Sequence, residues 1–277
     1  MSRFFSNNVN SFNTVCNLGN NCTIADDRSQ ILTWLSPLDP RLRHQDIQDR
    51  RGEGVGESLL QTDEFRSWCD SSERCEPDNP VLVCRGDPGV GKSFISSLVI
   101  DNLCDQAGGR DATVTCFYFD RTVQKEQSST NVLGALLKQV VIGLEEVPGE
   151  IVQAYKHQKN CIGGRRPQHT DIVKMLQTTT SKKRTFICID ALDECVPEDQ
   201  VKLLDSLNQV LQKAPDTRIF LTERLDIRPK TENISQILKL LHECLRDCLV
   251  DGASPSWVYG ILERMVMVAV ISGVVRV

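Results

Sequence analysis

From Asn79 onward, short apolar runs alternate with segments whose large aliphatic residues recur every three or four positions. That alternation predicts a parallel sheet covered by helices. "VLVCR" (81–85), Thr113–Asp120, Thr185–Asp190 and Arg218–Thr222 read as four strands, and their near-continuous apolarity is what strands buried on both faces require. Between the first two, Ile95, Leu98, Val99 and Leu103 fall at helical spacing, with a stop expected near Gly108 and Gly109. Leu133, Leu136, Leu137, Val140, Val141 and Leu144 mark a second amphipathic helix, Asp171 to Thr178 a weaker one, and Leu203, Leu204, Leu207 and Leu211 a fourth that Pro215 ends.

Outside this core the pattern changes. Residues 1–28, rich in Asn and Ser, read as a flexible leader, and 29–78 as a short helical N-terminal extension. Within the extension, "SQILTWLSPLDPRLRHQDIQDRR" reads as an amphipathic piece broken by Pro37 and Pro40 and followed by a charged connector. A capped helix starting near Thr62 would then bury Phe65 and Trp68, with Leu60 just before it. The main domain is expected over 79–228. Residues 229–277 look divergent and truncated, with "ISQILKLLHECLRDCLV" a helix and the apolar stretch Met265–Ile271 a buried strand or helix. That stretch is far short of the ~20 residues that span a bilayer, so no membrane association is expected.

Composition narrows the function classes. A chain of 277 residues with a formal net charge of -5 offers no basic field for nucleic acid. Its N-terminus has no apolar core of the secretory-signal kind, so the 12 cysteines read as reduced thiols of a cytoplasmic protein. Cys84, Cys116 and Cys188 lie inside apolar runs as small buried hydrophobes. His242, Cys244 and Cys248 approach metal-ligand spacing, but a fourth ligand is not evident and zinc is not expected.

The chemistry sits at two strand ends. Gly86-Asp87-Pro88-Gly89-Val90-Gly91-Lys92-Ser93 matches G-x-x-x-x-G-K-[ST] between a strand and a helix. Its glycines allow a tight turn whose N–H groups face phosphate oxygens, with Lys92 on the β- and γ-phosphates and the Ser93 hydroxyl on Mg²⁺. "FICIDALDEC" delivers Asp190 at the C-terminal end of its strand as a second Mg²⁺ group, directly or through water. Asp193 and Glu194 follow on one side of a turn, where one of them could orient or deprotonate an attacking water.

With both motifs in place, residues 30–228 resemble the NACHT group of the STAND P-loop NTPases, in particular the fungal NACHT and nephrocystin-like N-terminal domains. Ala191 occupies the family's small position after the metal-binding aspartate, and "RIFLTER" looks like its sensor strand, with Arg224 as sensor arginine and Glu223 where a small residue is common. The resemblance implies a three-layer α/β P-loop fold with a mainly parallel sheet. It also implies a signalling switch that binds ATP or GTP with Mg²⁺, hydrolyses it slowly, forms a nucleotide-dependent homo-oligomer and acts in fungal non-self recognition or programmed cell death. The absence of an N-K-x-D motif favours ATP. Two other classes stand beside the switch: a turnover ATPase or kinase, for which no second-substrate element appears, and a nucleotide-binding scaffold without hydrolysis. Arg121, after the second strand, reads as a solvated loop residue or as one facing a neighbouring subunit's nucleotide.

Overall fold

The computed structural model describes residues 27–69, 80–107, 112–159 and 165–224, together with the backbone of 267–270. Helix α1 covers 27–35. It is followed by α2 (Pro40–Arg50), α3 (Glu57–Leu60) and α4 (Asp63–Cys69). The core then runs β1 (Val81–Gly86), α5 (Lys92–Ala107), β2 (Ala112–Tyr118), α6 (Ser129–Ile142), α7 (Gly149–Lys159), α8 (His169–Thr180), β3 (Arg184–Asp190), α9 (Pro197–Lys213), β4 (Thr217–Arg224) and β5 (Met267–Val270). Short 3₁₀ turns lie at Arg121–Glu126 and Leu192–Glu194.

The strands form one parallel sheet in the order β2-β3-β4-β1-β5. Because side chains alternate across a strand, neighbouring residues feed opposite layers. Leu82 and Cys84 pack with Ile95, Val99 and Leu103 of α5, whereas Val81 and Val83 join the larger core built with α6, α8 and α9. The result is a three-layer α/β P-loop fold. The connection leaving β1 covers one face and those leaving β2 and β3 cover the other, which opens a crevice at the C-terminal edge of the sheet.

The extension is fastened to both layers. Ile31 and Leu35 of α1 enter the larger core, while Ile47, Phe65 and Trp68 enter the smaller one. The α1 helix begins at 27, inside the stretch expected to be a leader, and the Arg28 guanidinium donates to Val141 O in the last turn of α6 and to Leu144 O and Glu145 O in the turn that follows it. Pro40, expected to break the amphipathic piece, instead opens α2 within the expected helical extension. Pro40 stands in the first turn, where no amide donor is needed, and the Asp39 side chain accepts from the Arg41 N–H. The periodicity missed it because α2 buries only Pro40 and Ile47. Helix α7 was also unanticipated: Ile151 is its one fully buried side chain.

Near the C-terminus, β5 pairs parallel to β1, from Leu82↔Met267 to Arg85↔Val270, within the stretch expected to be a buried strand or helix. The expected helix at "ISQILKLLHECLRDCLV", with His242, Cys244 and Cys248, lies outside the described residues, as do residues 1–26. Among the described residues, no helix is long and apolar enough to cross a membrane.

Candidate nucleotide site

Strand β1 ends on Gly86, and six residues later α5 begins at Lys92. Between them Gly89 and Gly91 have φ of +83° and +86°, a region costly for any residue with a Cβ. A Cβ on Gly89 would meet nothing within 4 Å, so the glycine is required by backbone conformation and not by space. Asp87, Pro88 and Gly89 stand exposed at the tip, while Val90, Gly91, Lys92 and Ser93 are half-buried. The Lys92 ammonium folds back over the loop, donating to Gly86 O and Asp87 O at 2.8 Å each. This holds a cation beside the N-terminus of a 16-residue helix, where the first backbone N–H groups have no intrahelical acceptor.

Across the crevice, Asp190 is 3% exposed and accepts three hydroxyl donors. Ser93 Oγ donates to Oδ2 at 2.6 Å; Ser96 Oγ and Thr222 Oγ1 donate to Oδ1 at 2.7 and 2.6 Å. A buried carboxylate is costly unless hydrogen-bonded, and these three donors satisfy it. Sequence reasoning had paired Ser93 with Asp190 but missed Ser96 and Thr222. Helical spacing could have found Ser96, one turn beyond Ser93 on α5. Thr222 needed the sheet order: Ile189 registers with Leu221, so the following residues of β3 and β4 are neighbours. The Ser93 hydroxyl and Asp190 Oδ2 are adjacent hard oxygen donors of the kind Mg²⁺ takes, so the residues present fit that ion.

The acid turn is locked from the other side. Ala191 adopts φ 54° and ψ 47°, the one positive φ outside glycine among the described residues, and its N–H donates to Thr222 Oγ1 at 2.9 Å. Leu192 is fully buried, which turns Asp193 and Glu194 toward β4. There the Arg224 N–H donates to Asp193 Oδ1 at 3.1 Å, its Nε lies 3.0 Å from Asp193 Oδ2, and its guanidinium donates to Glu194 Oε1 at 3.0 Å. Arg121 approaches Glu194 from the turn after β2: its N–H donates to Oε2 at 3.3 Å, and its side chain remains 57% exposed. Gln124 completes the contact by donating to Glu194 O at 2.6 Å, a role the sequence did not signal. Glu223, the departure beside Arg224, is ion-paired with Arg85 of the neighbouring strand.

Burial disfavours the thiolate form of the cysteines near this edge. Burial pushes Cys84 up to about 11 despite the nearby Lys92 charge, and burial likewise pushes Cys116 up to about 12. Cys188 is raised by the same cause.

A family model described as "Nephrocystin 3, N-terminal" matches residues 54–224. The chain is also 24% identical over 217 residues to the vegetative incompatibility protein HET-E-1 of Podospora anserina, an alignment covering 76% of this chain but 15% of that protein. Among solved structures, Cdc6p from Pyrobaculum aerophilum is similar at a TM-score of 0.43 and 13% identity, covering 83% of this chain and 57% of that one. The Aeropyrum pernix ORC1 protein, solved in complex with DNA, is similar at 0.39 and 14%, covering 84% and 58%. The chain thus spans less than two thirds of each of these relatives.

Proposed function

Because the chain belongs to the nephrocystin 3 N-terminal family and is a nucleotide-binding, NTPase-like domain, we propose that it works as a regulatory switch, holding ATP in preference to GTP with Mg²⁺. The observation that carries this reading is the convergence of three strand ends: the glycine loop with Lys92 after β1, Asp190 closing β3 and Arg224 closing β4. In it, the loop N–H groups and Lys92 bind the phosphates, while Ser93 and Asp190 Oδ2 hold the metal. Mg²⁺, when bound, neutralises phosphate charge. Asp193 or Glu194 orients the attacking water, and Arg224 moves from the two acids toward the terminal phosphate. That exchange gives triphosphate and diphosphate different contacts, and differential contact is what shifts a two-state equilibrium.

Hydrolysis is slow in this scheme because Arg224 must first give up its ion pairs with both acids. The same engagement favours, as second reading, a binding scaffold without hydrolysis. Similarity to a vegetative incompatibility protein supports a place in fungal non-self recognition or programmed cell death, with the switch acting through a homo-oligomer in the cytoplasm.

Calorimetric titration of ATP and GTP in Mg²⁺ tests the core of the proposal. Wild type should bind and Lys92→Ala should lose most of that affinity; no binding by wild type would overturn it. Solution mass with ADP and with a non-hydrolysable ATP analogue then tests the switch, since an oligomeric state indifferent to both contradicts it.

A further inference from the structure

Thr222 makes two hydrogen bonds at the point where three parts of the site meet. It is fully buried, its Oγ1 donates to Asp190 Oδ1 at 2.6 Å, and the same oxygen accepts from the Ala191 N–H at 2.9 Å. A hydroxyl has a single proton, and because Ala191 supplies its own, the Thr222 proton is committed to the carboxylate. Ser96, also buried, gives a second proton to Oδ1. One carboxylate oxygen is thereby filled from the protein side, leaving Oδ2 toward Ser93 and the glycine loop. The carboxylate cannot exchange its oxygens without breaking two buried hydrogen bonds. Two residues beyond Thr222 on the same strand, the Arg224 N–H holds Asp193 Oδ1.

We infer that Thr222 is a positioning residue that acts through Asp190, presenting Oδ2 as its metal-side oxygen while keeping the Ala191–Glu194 turn in register with Arg224. This rests on the nucleotide reading above and goes beyond it by assigning the metal-linked part of affinity to a residue that touches neither phosphate nor metal. Groups that orient a metal ligand are worth about 10–100-fold in metal affinity when removed. The contribution of the glycine loop and Lys92 to phosphate binding does not pass through Thr222.

The test is the affinity of the whole chain for adenylyl imidodiphosphate, measured by calorimetry in EDTA and in Mg²⁺, with melting of the free protein followed alongside. Thr222→Val, which keeps the shape and removes the hydroxyl, should cut the Mg²⁺-dependent gain about 10–100-fold while leaving affinity in EDTA within about twofold. Thr222→Ser should restore the gain. A Thr222→Val protein with the full gain overturns the assignment. Equal losses in EDTA and Mg²⁺ also overturn it, because that is the signature of general loosening. If Thr222→Val does not fold, Thr222→Cys, a weaker donor of similar size, carries the same readout: a reduced gain at unchanged EDTA affinity supports the assignment and an unchanged gain overturns it. Wild type that binds the analogue equally in EDTA and Mg²⁺ overturns the metal assignment alone, whereas wild type that binds in neither overturns the nucleotide reading itself.

Discussion

Arg224 and Asp193 meet twice, through the Arg224 N–H on Oδ1 at 3.1 Å and through Nε at 3.0 Å from Oδ2, so backbone and side chain of one residue hold a single carboxylate. The main-chain contact fixes the strand end to the acid turn. The side-chain contact, at a guanidinium 37% exposed, is free to be exchanged for another anion.

Arg224→Ala separates these contributions. A partly exposed ion pair is worth about 0–1 kcal/mol, so denaturant unfolding of the free protein should change by no more than that. Preference for triphosphate over diphosphate should fall, measured as the ratio of the two affinities by calorimetry. An unchanged ratio would show that Arg224 does not read the terminal phosphate.

Ala191 is strained by its left-handed backbone, which costs an L-residue roughly 1–2 kcal/mol. Glycine removes that strain but adds about 0.4–1 kcal/mol of unfolded-chain entropy. The balance predicts that Ala191→Gly is neutral to about 1.6 kcal/mol stabilising by urea unfolding. Ala191→Val, branched at Cβ, should cost more than about 1 kcal/mol at the same position.

Legibility followed the range of the interaction. The phosphate loop, Asp190 and the four core strands were readable because each is set by residues close in sequence, short apolar runs of which β1 ends on glycine and β3 on aspartate. The Asp190 cage was half-readable: Ser93 came from the motif, but Thr222 joins only through the β3–β4 register. Helix α2 escaped because polar contacts to α5 and β2, and not an apolar stripe, hold it. Gly134 was likewise silent, although a Cβ there would collide with the Leu35 carbonyl where α1 crosses α6.

His169, at the start of α8, supplies a pH response. Ser206 Oγ donates to Lys202 O, so it accepts from His169 Nε2–H at 2.8 Å, leaving Nδ1 to accept from Thr130 at 3.2 Å. Burial first, and the Lys202 charge second, hold the imidazole below its ordinary value of 6.5, with Asp199 opposing. The unfolded chain therefore binds the extra proton at a pH where the folded chain does not. The stability contribution is complete above 6.5 and is lost as pH falls from there toward the lowered folded value. Unfolding free energies from pH 7.5 to 5 should fall less steeply in His169→Gln than in wild type; identical slopes would remove His169 as the source.

The contact between the extension and the phosphate-loop helix yields the last prediction. Arg51, just after α2, lies 2.7 Å from Asp101 Oδ2 and donates to Ser97 Oγ at 2.7 Å, both partners belonging to α5. Asp101 Oδ1 also faces His44 Nε2 at 3.1 Å and accepts from Gln48 at 3.2 Å, while His44 Nδ1 meets the Tyr118 hydroxyl at 2.8 Å. The Arg51 and Asp101 side chains are only 17% and 20% exposed, so removing one leaves the other poorly solvated. Arg51→Met keeps the aliphatic stem and deletes the charge, and it should cost about 1–3 kcal/mol by denaturant unfolding. Asp101→Asn should cost less on the Arg51→Met background than in wild type, because the partner charge is already gone. Strict additivity of the two changes would mean that the Arg51–Asp101 pair itself contributes nothing to holding the extension on α5.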